Sequence, residues 1–267
     1  MTETLAGHLP PLGARLPLVA SIIMGITVAV WVFVQGAGFS PEALTGSVCA
    51  FGSIPAEITR ELGRAGLLNV EEWIGPSVGV DGVCRMGGLT CLALLTSVFL
   101  HGSWMHLIGN LWFLWIFGNN VEDSMGHGRF LLFYLLTGLI AGGSHVASDP
   151  GSVIPMVGAS GAISAIMGAY LLLYPRARVH TLFFFVIFFR VIRLPAWFFL
   201  LYWLSIQLVS SALQPQSGGG GVAFWAHIGG FAAGLALATF FQNPALVRAK
   251  RAGVRLHRRE LKGRGWW

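Results

Sequence analysis

The uncharged stretch from Leu16 to Phe39, LPLVASIIMGITVAVWVFVQGAGF, decides the fold of this chain. A helix needs about 20 consecutive apolar residues to cross the hydrocarbon core of a bilayer. The stretch is too long for the apolar region of a signal peptide, and no convincing cleavage site follows it. We therefore interpret it as a retained membrane span.

The composition of the whole chain supports a bilayer as its solvent. Of the 267 residues, 55% are hydrophobic and 10% are charged, whereas soluble domains carry about 25% charged residues. Further apolar stretches follow at about 103–121, 129–147, 157–174, 194–213 and 222–241. The predicted fold class is an all-α bundle of six transmembrane helices. Thr181 to Phe189 is too short to cross and is expected to lie at the interface.

The segments between the spans complete the predicted organisation, in which no internal repeat and no second domain is evident. Residues 1–15 form an N-terminal segment, 16–241 a six-span domain and 242–267 a basic tail. A long external loop follows the first span. In it, Ala56 to Leu68 has an apolar side of Ile58, Leu62 and Leu67 that is typical of an interfacial helix. Gln214 to Gly221 ends in four glycines and is predicted to be a flexible external loop.

The charges set the orientation. In the six-span arrangement, 14 of the 17 Lys and Arg residues lie on the side of the termini, and only Arg60, Arg64 and Arg85 lie on the other. The positive-inside rule therefore places both termini in the cytoplasm. Eight basic residues between 248 and 264 could also bind nucleic acid, but such a tail on a membrane protein more often determines topology beside anionic lipid.

The cysteines give no zinc-binding pattern, because Cys49, Cys84 and Cys91 include no closely spaced pair. An extracellular position of the long loop would allow a disulfide between Cys49 and Cys84.

Polar residues inside the predicted spans are functional candidates, since they are costly in lipid. None of the 11 acidic residues falls well inside a span, which argues against an aspartyl protease or a carboxylate proton relay. The polar groups within the spans are His106, Asn110, His145, Ser160, Ser164, Gln207 and His227, with His101 at the outer edge of the second span. The second, fourth and sixth spans run in the same direction, so His106, Ser160 and His227 are predicted at similar depth near the outer face.

Ser160 lies between glycines at a predicted helix start, in Gly158-Ala-Ser-Gly161. Glycine lets another chain approach closely, and a helix N-terminus offers free N–H groups to an oxyanion. His227 precedes a Gly230-xxx-Gly234 pair that favours close helix contact. The alternative for both motifs is structural, because small residues commonly pack membrane helices and a histidine can simply bond between them.

Taken together and in order, these motifs resemble the rhomboid family of intramembrane serine proteases. The matching pieces are His101-Gly-Ser-Trp-Met-His106-Leu-Ile-Gly-Asn110, Phe117-Gly-Asn-Asn-Val-Glu-Asp123, Gly158-Ala-Ser-Gly161 and Ala226-His-Ile-Gly-Gly230, within about residues 95–240. Each motif is weakly specific alone, whereas the ordered set is highly specific.

The resemblance implies a role for each matching residue. Ser160 would be the nucleophile and His227 its base. His106 and Asn110, with the Ser160 N–H, would stabilise the oxyanion. His101, Gly158 and Gly161 would support the site. No metal or other cofactor is implied.

The resemblance also implies partners and a location. Substrates would be single-span membrane proteins that enter beside the fifth span. The setting would be a bilayer, expected to be the bacterial plasma membrane, with the site opening to the external face.

Two positions depart from the family pattern. Some members carry an aromatic residue one turn after the nucleophile, packed on the histidine, where this chain has Ser164. Another group must then support His227. Some members carry a Trp-Arg pair in the external loop, where this chain has Leu92-Ala93, and this leaves the structure of that loop open.

Three other functions compete with the protease. A transporter would be expected to carry acidic residues within its spans or interrupted helices in paired halves, and the sequence shows neither feature. A metalloenzyme could use His101, His106 and His227, although no HExxH motif or intramembrane carboxylate accompanies them. An inactive family member would act by binding, but Ser160 and His227 are both retained.

The tail supplies a test of topology. A tag after Trp267 is expected to be accessible only from the cytoplasmic side, because the tail is the strongest inside signal of the chain. Protease protection of the tag in intact cells measures this. Digestion from outside would reverse the orientation and move the site to the opposite face.

Overall fold

The structure, a computed structural model, describes residues 17–64, 84, 90–185, 188–213 and 222–251. Within these residues it is mostly helical. The helices are α1 (Leu18–Phe33), α2 (Pro41–Phe51), α3 (Pro55–Arg64), α4 (Thr90–Thr96), α5 (Trp104–Phe113), α6 (Asn119–Met125), α7 (His127–Ser148), α8 (Ser160–Leu173), α9 (Ala196–Leu213), α10 (Phe224–Phe241) and α11 (Pro244–Arg251). A π-helical turn, Leu114–Gly118, joins α5 to α6.

Several of these helices have the length and composition of membrane spans. α7, α9 and α10 are long and apolar enough to cross, and a fourth span results if the pair Leu92–Phe99 and Trp104–Met125, bent by 94°, counts as one. α1 and α8 are shorter apolar helices. Each of the six predicted stretches therefore corresponds to an apolar helix, while six full crossings remain a prediction.

α8 and α10 pack with their backbones in direct contact. A Cβ atom at Gly230 would overlap the carbonyl oxygen of Gly161, and one at Gly234 would overlap that of Ala165. From the other side, a Cβ atom at Gly168 would overlap the carbonyl oxygen of Phe231. The two helices make the most extensive helix contact in the described part of the chain. The predicted Gly-xxx-Gly face is thus confirmed, and its partner is α8.

A buried carboxylate joins α1 to α6. The side chain of Glu122 is 1% exposed and accepts hydrogen bonds from the N–H groups of Val19 and Ala20, each at 2.9 Å. These donors belong to the first turn of α1, where N–H groups have no partner within the helix and the helix dipole favours a negative charge. His127 Nδ1 lies 2.6 Å from the same carboxylate. Glu122 therefore holds one end of α1 against the bundle.

The segment 181–189, predicted to lie at the interface, belongs to a β-hairpin that the predicted all-α fold class did not include. β1 (Arg178–Phe185) pairs antiparallel with β2 (Phe188–Pro195), from Arg178 opposite Pro195 to Phe185 opposite Phe188. Val, Ile, Thr and Phe dominate both strands, and these side chains favour a sheet over a helix. The fold is therefore not purely α, because this hairpin connects α8 to α9.

The long segment after α1 is more closely packed than its sequence predicts. The predicted amphipathic helix exists as α3, but Ile58 is 2% exposed and packs within the protein. Its predicted apolar residue Leu67 lies outside the described residues. A disulfide joins Cys49 to Cys84, with Cα atoms 5.1 Å apart. It ties this loop to the end of α2.

The chain termini are described only in part. The predicted tail begins with α11, which docks on α6 where the N–H of Asn243 donates to the carbonyl of Ser124 at 2.8 Å. The N-terminal segment, the glycine loop 214–221 and the rest of the tail lie outside the described residues.

The helix contact predicts a position-specific loss of stability. Gly234→Ala should destabilise the fold by about 1–3 kcal/mol, since the added methyl group must separate two backbones. Ala236→Val, which adds methyl groups at an exposed position of the same helix, is the control and should have little effect. Thermal unfolding in detergent measures both. Equal stability of Gly234→Ala and the parent would show that α8 and α10 have room between them.

Candidate active site

Ser160 and His227 meet across the contact between α8 and α10. Ser160 is the first residue of α8, and His227 lies in the first turn of α10. The His227 Nε2 atom is 2.7 Å from Ser160 Oγ. Both residues line a cavity of about 1770 Å³ that also includes His106, His145 and Gly158. The predicted nucleophile and base are thus placed within hydrogen-bonding distance in a space that can admit a peptide.

The start of α8 leaves N–H donors free beside the serine. The first hydrogen bond of this helix runs from the N–H of Ile163 to the carbonyl of Ala159, at 2.9 Å. The N–H of Ser160 precedes that bond and has no partner within the helix. It is therefore placed to stabilise negative charge next to Ser160 Oγ.

From α5, His106 lines the cavity, and Asn110 Nδ2 lies 3.7 Å from the position of a Cβ atom built at Gly158. The N–H of Gly102 lies 3.5 Å from His106 Nδ1, which favours the ring form with its proton on Nε2. Asn110 Nδ2 donates to the carbonyl of His106 at 3.0 Å, and its second N–H remains for another acceptor. Both side chains are therefore available as donors beside Ser160.

Gly158 and Gly161, the two glycines expected to support the site, each leave space for a different neighbour. Gly158 has φ of +120°, and a Cβ atom there would lie 2.7 Å from the His106 ring. The absence of a side chain at Gly158 therefore leaves space for the His106 ring. A Cβ atom at Gly161 would lie 2.7 Å from that of Ala141, so this glycine serves helix packing. Both glycines thus let another part of the same chain approach closely beside Ser160.

His101 supports His106 from the loop before α5. Its ring is fully buried, and its centroid lies 5.0 Å from that of His106 in an edge-to-face contact. The loop is held by Gln35 at the end of α1. The N–H of His101 donates to Gln35 Oε1 and Gln35 Nε2 donates to the carbonyl of His101, both at 2.8 Å.

Two residues of α9 complete the surroundings of His227, and the sequence assigned a role to neither. Gln207 Oε1 is 2.8 Å from His227 Nδ1. The Trp203 ring lies 5.7 Å from the His227 ring, centroid to centroid. Gln207 stands out in sequence as a polar residue in a span, and Trp203 lies one turn before it on the same helix face. The choice of His227 as their partner depends on how α9 packs.

No hydrogen bond joins Ser164 to His227. Its hydroxyl donates to the carbonyl of Ser160 at 2.6 Å, and the residue is 1% exposed. The aromatic ring that some family members place here is provided from α9 by Trp203. At the other departure, Leu92 is exposed and Ala93 is buried.

The part of the chain that the structure describes offers no cluster of ligands for a metal ion. Within the described residues, no group of three or more His, Cys, Asp or Glu side chains is close enough to hold a metal ion. His145 lines the cavity, at the last turn of α7. The cavity of this integral membrane helix bundle therefore holds a hydrogen-bonded serine–histidine pair.

Comparison with known proteins identifies the family of this membrane helix bundle. The family model for the Rhomboid domain matches residues 89–244, and the chain belongs to the rhomboid family. It is 45% identical over 78 residues to "Rhomboid protease GluP" of Bacillus subtilis (strain 168), covering 29% of this chain and 15% of that protein. It is 33% identical over 98 residues to the human "Presenilin-associated rhomboid-like protein, mitochondrial", covering 35% of this chain and 25% of that protein. The matches thus span about a quarter or less of these relatives.

The site predicts which serine is reactive. A fluorophosphonate should label Ser160 and not Ser164. Only Ser160 Oγ is hydrogen-bonded to His227, whereas the Ser164 hydroxyl is buried and donates to a backbone carbonyl. Ser164→Ala should leave labelling intact, since Ser164 does not hold His227. Mass-spectrometric mapping of the adduct measures this. An adduct on Ser164, or labelling lost only in Ser164→Ala, would show that Ser164 is the nucleophile instead of Ser160.

Proposed function

We propose that this chain is an intramembrane serine endopeptidase that cleaves peptide bonds in or near the transmembrane segments of single-span membrane proteins. The observation that carries the proposal is the 2.7 Å contact between His227 Nε2 and Ser160 Oγ. This contact provides the activated nucleophile that acyl transfer needs. The name of one relative described above, "Rhomboid protease GluP", supports protease activity.

The first half-reaction forms an acyl-enzyme. Ser160 Oγ attacks the scissile carbonyl carbon while its proton passes to His227 Nε2. The carbonyl oxygen becomes an oxyanion that the Ser160 N–H, His106 Nε2 and Asn110 Nδ2 stabilise. One such donor is typically worth about 3–4 kcal/mol of transition-state stabilisation. His227 then returns the proton to the leaving amine, and the peptide bond breaks.

The second half-reaction regenerates the serine. A water molecule attacks the acyl group, giving its proton to His227 and its oxygen to the new carboxyl group. The intermediate collapses, and Ser160 Oγ recovers a proton from His227. The cavity reaches the segment 151–158 beside Ser160, which provides a route for this water.

Entry of the substrate is proposed beside α9. The buried residues of this helix are Ala196, Leu200 and Gln207, and much of its remaining surface is exposed and apolar. A substrate helix can approach such a surface from the lipid. The proposed setting is the bacterial plasma membrane, with both termini in the cytoplasm and the site open to the external face, as the distribution of Lys and Arg favours.

The proposal is tested by cleavage of candidate single-span substrates with the purified protein. Ser160→Ala and His227→Ala should each lower kcat by about 10⁴-fold or more while leaving the protein inserted, because loss of either member of such a unit removes nearly all of its effect. Chelators should leave cleavage unchanged. Normal cleavage by folded Ser160→Ala would falsify the proposal.

Two other results would point to the competing functions. Loss of activity on chelation, restored by zinc, favours the metalloenzyme. Folded wild-type protein that binds single-span substrates and neither cleaves them nor reacts with a fluorophosphonate favours an inactive family member.

A further inference from the structure

We propose that Gln207 is a positioning residue that extends the pair to a Ser160–His227–Gln207 triad, and this inference rests on the proposed function. The ring of His227 has two hydrogen-bond partners among the described residues. Nε2 meets Ser160 Oγ at 2.7 Å and Nδ1 meets Gln207 Oε1 at 2.8 Å. The two contacts lie on opposite sides of the ring, so they fix its rotation.

The direction of the amide decides which ring nitrogen carries the proton. Gln207 Nε2 lies 3.5 Å from the carbonyl oxygen of Trp203, one turn earlier in α9, and donates to it. Reversing the amide would set two oxygens against each other. With Oε1 facing His227, the ring must donate from Nδ1. Nε2 is then left without a proton and can accept the one on Ser160 Oγ.

The same contact serves the charged intermediate. When His227 Nε2 takes the proton of Ser160, the ring becomes an imidazolium whose Nδ1–H still points at Gln207 Oε1. The amide oxygen stabilises this charge without taking a proton. Gln207 is 7% exposed, so water competes little for the contact. An amide thus performs the orienting task without placing a carboxylate in the span.

Trp203 supports the ring in a different way. Its side chain packs against His227 and against Phe231, with ring centroids 5.7 and 6.2 Å apart. This contact restricts the plane of the imidazole, but it supplies no acceptor. Packing alone therefore leaves the position of the proton unspecified, and Gln207 is the residue that specifies it.

The experiment compares three substitutions at this position in the full-length purified protein. Gln207→Met keeps the size and removes the acceptor. Gln207→Glu keeps an acceptor whether its carboxyl is ionised or protonated. Gln207→Asn keeps the amide but shortens the side chain by one methylene, which moves the amide oxygen away from His227 Nδ1. Ser205→Ala, at an exposed position on the same helix, is the matched control.

We expect kcat for a single-span substrate to fall at least about tenfold in Gln207→Met and Gln207→Asn, the factor that each 1.4 kcal/mol of barrier represents. KM and the melting temperature should stay close to those of the wild type. Fluorophosphonate labelling of Ser160 should slow in parallel. Gln207→Glu should recover most of the lost kcat, and Ser205→Ala should behave as wild type.

The outcomes separate this inference from the proposed function. Wild-type kcat in Gln207→Met overturns it. Equal losses of kcat and melting temperature in Gln207→Met and Gln207→Glu also overturn it, because they indicate a packing role. If Gln207→Met does not fold, Gln207→Asn decides by the same measurements. Wild-type protein without Ser160-dependent cleavage counts against the proposed function instead.

Discussion

The site depends on one constraint, the direct contact of the α8 and α10 backbones. Glycines at 168, 230 and 234 remove the side chains that would otherwise separate the two helices. Lipid gives apolar helices little hydrophobic reason to associate, so dispersion contacts of this kind must hold them together. Ser160 and His227 lie at the starts of these two helices. Their hydrogen bond is consequently set by the packing of helices and not by a loop.

The other elements orient what that contact brings together. α5 enters through a loop held by Gln35, and its His106 fits only because Gly158 has no side chain. Glu122 fixes the start of α1, and because the helix is continuous this also restricts the position of Gln35 beyond its other end. α9 brings Trp203 and Gln207 to the far side of His227. The orientation of the histidine therefore depends on where α9 sits, and α9 is the apolar helix with the most open packing.

Much of the fold and part of the site could be predicted from residues alone. The apolar stretches and the Gly-xxx-Gly face follow from lipid solvation and helix geometry, which act locally along the chain. The position of Ser160 in the first turn of α8 was predicted from the apolar stretch at 157–174. The hairpin at 178–195 was missed, because a short apolar run does not distinguish a strand from an interfacial segment. The contact of Gly161 with Ala141 on α7 could not be predicted either, since a glycine does not reveal which neighbour needs the space.

The sequence by itself determined that the chain is a helical membrane protein and that its polar groups within the spans are a small set without acids. It also determined the order and spacing of the motifs that identify the family. Only the tertiary structure decided which of those polar groups meet. Gln207 and Ser164 look equally plausible as partners of His227 along the chain. The packing of α9 turns Gln207 towards the ring, while the Ser164 hydroxyl bonds to its own helix. The physical reason is that helix periodicity fixes the face on which a residue lies, whereas the neighbour of that face is set by contacts between distant segments.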